Sequence, residues 1–155
     1  MWLSFVAPGS VISAGCYFCK KVVMEKNLWS SLNKIQRLDP DMYMMRVETT
    51  TINGVPDVHA CHKGKSFWLE LKSNKDKKLG LSKYQVNWQL DYRAVGGNVF
   101  NLVLTPLQRE LKLLQILPDV ATDTVTNYCF IVLGSKPYNQ KNLQSIIKLA
   151  SDSCH

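Results

Sequence analysis

A chain of 155 residues, 46% of them hydrophobic, is long enough for one domain with a real core and leaves little room for a second. Its 19 Lys and Arg against 12 Asp and Glu give a formal charge of +7, which favours a polyanionic partner such as nucleic acid. The five cysteines (Cys16, Cys19, Cys61, Cys129, Cys154) are odd in number and irregularly spaced, which argues against a disulfide framework and for a reducing, intracellular compartment.

In chain order, residues 1–18 are largely apolar but carry Pro8, Gly9 and Gly15 and no basic start. That is a poor signal peptide, and it is too interrupted for a membrane-spanning helix of roughly 20 apolar residues. We read 1–23 as an N-terminal extension outside the core and expect a chain starting at Met24 to fold. From Met24, Leu28, Trp29, Leu32 and Ile35 recur at helical spacing until Asp39-Pro40 closes the helix. A strand over 42–51, an Asn53-Gly54 turn and a strand over 56–62 read as a hairpin. The Lys63-Gly64-Lys65 turn leads to a third strand over 66–72, marked by alternating Phe67, Leu69 and Leu71. A basic loop follows, and Ser82 with Gln85 forms a capping-box start to a helix with Tyr84, Trp88, Tyr92 and Val95 on one side. Gly96-Gly97 ends it, strands are expected over 98–104, 110–117 and 128–133, and a last helix over 139–150. This order indicates an α/β domain with helices flanking a sheet.

Strand alternation sends Trp68, Glu70 and Lys72 to one face, and likewise groups Asp57, His59 and Cys61. Pairing the two strands through their short turn brings Asp57 close to Glu70. Two clustered carboxylates repel each other at neutral pH unless a cation lies between them, and hard oxygen ligands select a hard ion such as magnesium. Glu25 shares the helical stripe of Leu28, Trp29 and Leu32, a costly place for a carboxylate unless it is paired or bound to metal. Its competing reading is a solvent-facing acid in the first helical turn, favoured by the helix dipole.

The run Gly54-Val55-Pro56-Asp57, followed by Phe67-Trp68-Leu69-Glu70-Leu71-Lys72, resembles the signature of the PD-(D/E)XK nuclease superfamily. With the Glu25 helix and Arg46-Val47-Glu48 upstream and Gln85 and Trp88 downstream, the chain is similar to the small stand-alone VRR-NUC nucleases common in phages, relatives of archaeal Holliday-junction resolvases. The resemblance covers residues 24–104. It implies a restriction-endonuclease-like core, a mixed sheet flanked by helices in the order α-β-β-β-α-β; we read 105–155 as C-terminal strands and helix completing the same domain. It also implies a metal-dependent DNA endonuclease. Asp57, Glu70 and the Leu71 carbonyl would hold magnesium, manganese is expected to substitute, and Glu25 would contribute directly or through water. The metal polarises the scissile phosphate and lowers the pKa of the attacking water, while Lys72 orients that water and offsets charge on the phosphate. Gln85 matches a glutamine used near the site in the resolvase-like branch, and its capping box explains it equally well.

Lys63, Lys65, Lys75, Lys77 and Lys78, in the loops flanking the Glu70 strand, are candidate phosphate contacts, with a solvated basic loop as the alternative. Trp68 and Trp88 read as packing, and Arg46 with Glu48 as a structural ion pair. A zinc site from His59, Cys61 and His62 with Cys16 and Cys19 is set aside, because alternation separates the two histidines. No base-reading module is present, so selectivity for structure, with branched DNA first, is expected over selectivity for sequence. Symmetric cutting of a four-way junction would require a homodimer. The expected setting is the cytoplasm of a bacterial or virus-infected cell, with no membrane partner. The alternative is a catalytically silent nucleic-acid-binding or replication-associated module on the same fold. Two clustered carboxylates, which repel phosphate, speak against it.

Overall fold

The computed structural model describes residues 17–73, 79–107, 109–118 and 128–155, with side chains from Glu25 onward. The elements are α1 (Tyr17–Leu38), β1 (Met42–Arg46), β2 (Val58–His62), β3 (Lys65–Ser73), α2 (Lys83–Ala94), β4 (Val99–Thr105), β5 (Glu110–Leu117), β6 (Cys129–Pro137) and α3 (Gln140–Asp152). The expected order of helix, three strands, helix and strand is the order observed.

Three boundaries differ from expectation by four residues or more, one of them the end of β6, which runs to Pro137 instead of residue 133. Helix α1 starts at Tyr17, seven residues before Met24, so part of the presumed extension is helix. The last breaker before it is Gly15, and once a helix is nucleated each added residue gains a hydrogen bond without a new nucleus. Strand β1 ends at Arg46 instead of residue 51. The Val47 N–H still reaches the Asp57 carbonyl at 2.8 Å, but then Thr49 takes over: its hydroxyl accepts from the Ile52 N–H at 3.1 Å and donates to the Ile52 carbonyl at 3.0 Å. Such a local side-chain turn competes with the ladder and wins where no partner strand is present.

The six strands lie in the order β1-β2-β3-β4-β5-β6, all neighbours antiparallel except the β3–β4 pair, which α2 connects. One face is covered by α1 and α3. Leu28, Leu32 and Ile35 of α1 and Leu143, Ile146, Ile147 and Ala150 of α3 pack with Phe67, Leu69 and Leu71 of β3 and Phe100, Leu102 and Leu104 of β4. Each fully buried side chain of this kind contributes about 1.5–3 kcal/mol, so this face carries most of the apolar driving force. The other face is covered by α2, which lies against β4 and β5. The aromatic stripe of α2 is not its buried side: Val86 and Gln89 are buried, while Tyr84 and Val95 are exposed. Trp88 and Tyr92 lie at the border, stacked at 4.8 Å, with Trp88 edge-on to Trp68 at 5.5 Å.

Strand β6 forms an edge and leaves Phe130, Ile131 and Val132 exposed. Among the described residues no helix is long and apolar enough to cross a membrane.

Candidate active site

Glu70 and Lys72 are two residues apart on β3 and share its α2-facing side. Glu70 is 1% exposed, and its Oε1 lies 2.9 Å from the Lys72 ammonium. Burial, with Asp57 and Glu25 adding like charge, outweighs Lys72 and raises the Glu70 pKa to about 7.

The third partner of this carboxylate comes from α2. Ser82 caps the helix: its hydroxyl accepts from the Gln85 N–H at 3.2 Å, and the Ser82 N–H donates to Gln85 Oε1 at 3.0 Å. Because that N–H requires an acceptor, the capping box fixes which way the Gln85 amide points. Its NH2 end therefore donates to Glu70 Oε1 at 2.5 Å, and the Gln85 Oε1 also accepts from the Lys72 ammonium at 3.3 Å. The structural and functional readings of Gln85 are thus two ends of one side chain.

Asp57 lies just before β2. The register that pairs Val58 with Leu69 sets it opposite Glu70. Its Oδ2 accepts from the Leu71 N–H at 2.9 Å, yet burial still raises its pKa. The loop that presents it is held by Gly54, at φ +90°, where an added Cβ would stand 2.3 Å from the Tyr84 carbonyl oxygen. The motif loop and the start of α2 are therefore in backbone contact. Glu25 is half-buried on the core side of α1, and its carboxylate accepts from the Ser73 N–H at the end of β3, at 3.3 Å. It is the ninth residue of α1, so a first-turn dipole role does not apply.

Glu70 Oε2 is buried with no hydrogen-bond partner among the described residues. A buried acceptor left unpaired is costly, and a cation is the partner an anionic oxygen lacks here. Among the described residues no group of three or more His, Cys, Asp or Glu side chains is suited to a metal. An ion at this place would rest on two carboxylates and a main-chain oxygen. That set fits magnesium, which keeps several of its waters.

The remaining candidates separate. Lys63 is exposed, in the left-handed conformation of the β2–β3 turn. Lys65 points to the α3 side of the sheet, where its ammonium donates to the Cys154 carbonyl at 3.1 Å. Lys75, Lys77 and Lys78 lie outside the described residues, as does Cys16. His59 faces Trp68 and shares a 2.8 Å hydrogen bond with Ser66, whereas His62 is buried 3.7 Å from Asp39. Arg46 and Glu48 form a largely exposed ion pair at 3.3 Å. Sequence reasoning missed Gln89 and Asn101, whose buried amides pair behind Gln85 and Glu70. The available signal was the spacing of Gln85 and Gln89, one helical turn apart.

The fold is thus an α/β domain whose central strand carries a buried acid and base. No protein-family model matches the chain, and no curated protein does. Among solved structures it has a distant resemblance to that of Archaeoglobus fulgidus Hjc, a Holliday junction resolvase from an archaeal hyperthermophile. The two are 20% identical, with a TM-score of 0.43, over 59% of this chain and 72% of that one.

Proposed function

We propose that this chain is a magnesium-dependent endonuclease that hydrolyses phosphodiester bonds in DNA, at a site centred on Asp57, Glu70 and Lys72. The observation that carries the reading is the Glu70 carboxylate, with Oε1 bound by Lys72 and Gln85 and Oε2 buried with no partner among the described residues, beside a second acid, Asp57. Asp57, Glu70 and the Leu71 carbonyl would hold the ion, with Glu25 acting through water; manganese would substitute. When bound, the ion polarises the phosphate and makes water a better nucleophile. Lys72 aligns that water and offsets the charge that grows on the phosphate, and Gln85 keeps Glu70 in place. The Pro56-Asp57 and Glu70-Leu71-Lys72 spacing, similar to the PD-(D/E)XK signature, supports the same chemistry. The similarity of that motif pattern to the resolvase-like branch of the superfamily supports branched DNA as the substrate, with exposed Lys63 and the lysines at 75, 77 and 78 as phosphate contacts.

The test is incubation of purified protein with labelled linear, flapped and four-way DNA in magnesium or EDTA. Cleavage in magnesium alone, strongest on branched DNA, is expected. Binding without cleavage in any metal would instead identify a silent binding module.

Two variants divide the labour within the site. Lys72→Ala should lower turnover by roughly 100-fold or more while DNA affinity stays nearly unchanged, since its contribution belongs to the transition state. An equal loss in binding would make Lys72 a phosphate contact only. Glu25→Gln keeps an oxygen for the Ser73 N–H but removes a charge felt at Glu70. Turnover should fall and the magnesium requirement rise, with little change in melting. Turnover unchanged across a magnesium titration would remove Glu25 from the site.

A further inference from the structure

Gln89 and Asn101 form two reciprocal hydrogen bonds, Gln89 Nε2 to Asn101 Oδ1 and Asn101 Nδ2 to Gln89 Oε1, both 2.9 Å, and both residues are completely buried. Apolar residues would fill the space between α2 and β4 as well, as Val86 and Val99 do nearby. What two amides add is geometry. Apolar contact tolerates small slides of a helix over a sheet, whereas a doubly bonded amide pair exists at one translation and one rotation only. A slip leaves buried donors and acceptors unpaired.

The pair is also next to the site on both sides. Asn101 lies beside Glu70 in the β3–β4 register, and Gln89 follows Gln85 by one turn of α2. The four residues form a rectangle. Glu70 and Asn101 are neighbours across strands, Gln85 and Gln89 are neighbours along the helix, and the bonds from Gln85 to Glu70 and between Gln89 and Asn101 are its rungs.

We propose that Gln89 and Asn101 are positioning residues: their amide pair sets the register of α2 on β4 and thereby aims Gln85 at Glu70. This rests on the nuclease reading of the site. Both side chains are fully buried and paired with each other, so neither would touch substrate or metal.

The test exploits the difference between losing one amide and losing both. Gln89→Met alone strands the Asn101 amide and should lower the melting temperature. Gln89→Met with Asn101→Leu removes both polar groups and should restore melting close to that of the parent chain. If the pair sets register, the double variant should still show turnover roughly 10- to 100-fold down at unchanged KM, weaker magnesium binding by calorimetry without DNA, and a shifted Gln85 side-chain amide signal. Parent-like turnover, magnesium affinity and Gln85 signal in the double variant would make the pair ordinary packing and overturn the proposal. Should the double variant not fold, hydrogen exchange in the parent decides. Slow exchange of the Gln89 and Asn101 side-chain amides is expected, and exchange at the solvent rate refutes the lock. A parent chain that cuts no DNA would defeat the nuclease reading alone, since magnesium affinity and the Gln85 signal still report on the register.

Discussion

Replacing Glu70 with glutamine is expected to abolish cleavage and, in the metal-free protein, to remove most of the dependence of stability on pH between about 4.5 and 7. Burial holds the Glu70 pKa near 7 in the folded chain against 4.5 when unfolded. The folded state therefore binds the proton more tightly. The stability this gives is complete below pH 4.5 and is lost as pH rises through 7, by up to about 3 kcal/mol. Glutamine has no proton to lose, so that slope disappears, leaving the smaller contribution of Asp57, whose pKa is raised in the same direction. Magnesium should restore stability to the parent chain at pH 8 and do little for the variant, because an ion bound only by the folded state adds stability through mass action. Melting curves from pH 4 to 8, with and without magnesium, read all of this. A parent chain with a flat profile, or a Glu70→Gln protein that still cuts, would remove Glu70 from the centre of the site.

Gly54→Ala should be strongly damaging for a single added methyl. Its φ of +90° is strained for any L side chain, which costs about 1–2 kcal/mol. The new Cβ would also stand 2.3 Å from the Tyr84 carbonyl oxygen, 2.5 Å from its carbon and 2.9 Å from the Gln85 nitrogen. Backbone atoms at a helix start cannot swing aside, so overpacking adds about 1–3 kcal/mol. Relief has two routes: the loop retreats and carries Asp57 with it, or α2 shifts and carries Gln85. Either way turnover falls along with stability. Gly64 is the control, with a similar φ of +79° but nothing within 4 Å of an added Cβ. Gly64→Ala should show the conformational cost alone and retain cleavage. Equal losses from the two substitutions in melting and cleavage assays would mean that close approach at Gly54 has no role.

What could be read from the sequence was what is periodic and local. Alternation along β3 sorted Glu70 and Lys72 from Phe67, Leu69 and Leu71, and the short turn between β2 and β3 brought Asp57 opposite Glu70. Helical spacing put Glu25 on the inner side of α1. The same alternation already assigned Lys65 to the face of Phe67, so its place on the α3 side of the sheet was legible and was overlooked in favour of its charge. The start of α1 was not marked, because nothing between Gly15 and Met24 breaks or caps a helix. Nor was the buried side of α2. Its aromatic residues outweigh Val86 and Gln89 in any hydrophobic pattern, yet a partner for Gln89 waited on β4, beyond any local rule. The two-ended use of Gln85 was hidden for the same reason: the cap is local, and the bond to Glu70 is not.

The parallel pairing of β3 with β4 carries a kinetic consequence. Some neighbours in the sheet, such as β2 and β3, meet through a tight turn. Residues 70 and 101, by contrast, become neighbours only after the intervening chain has closed a long loop and laid down α2. Loop closure of that kind is paid before the contacts reward it, so this docking is a slow topological step. Until it happens Glu70 has neither Gln85 nor Asn101 beside it. The site is thus completed only by that docking, and a chain without it holds all the residues of the site without their arrangement.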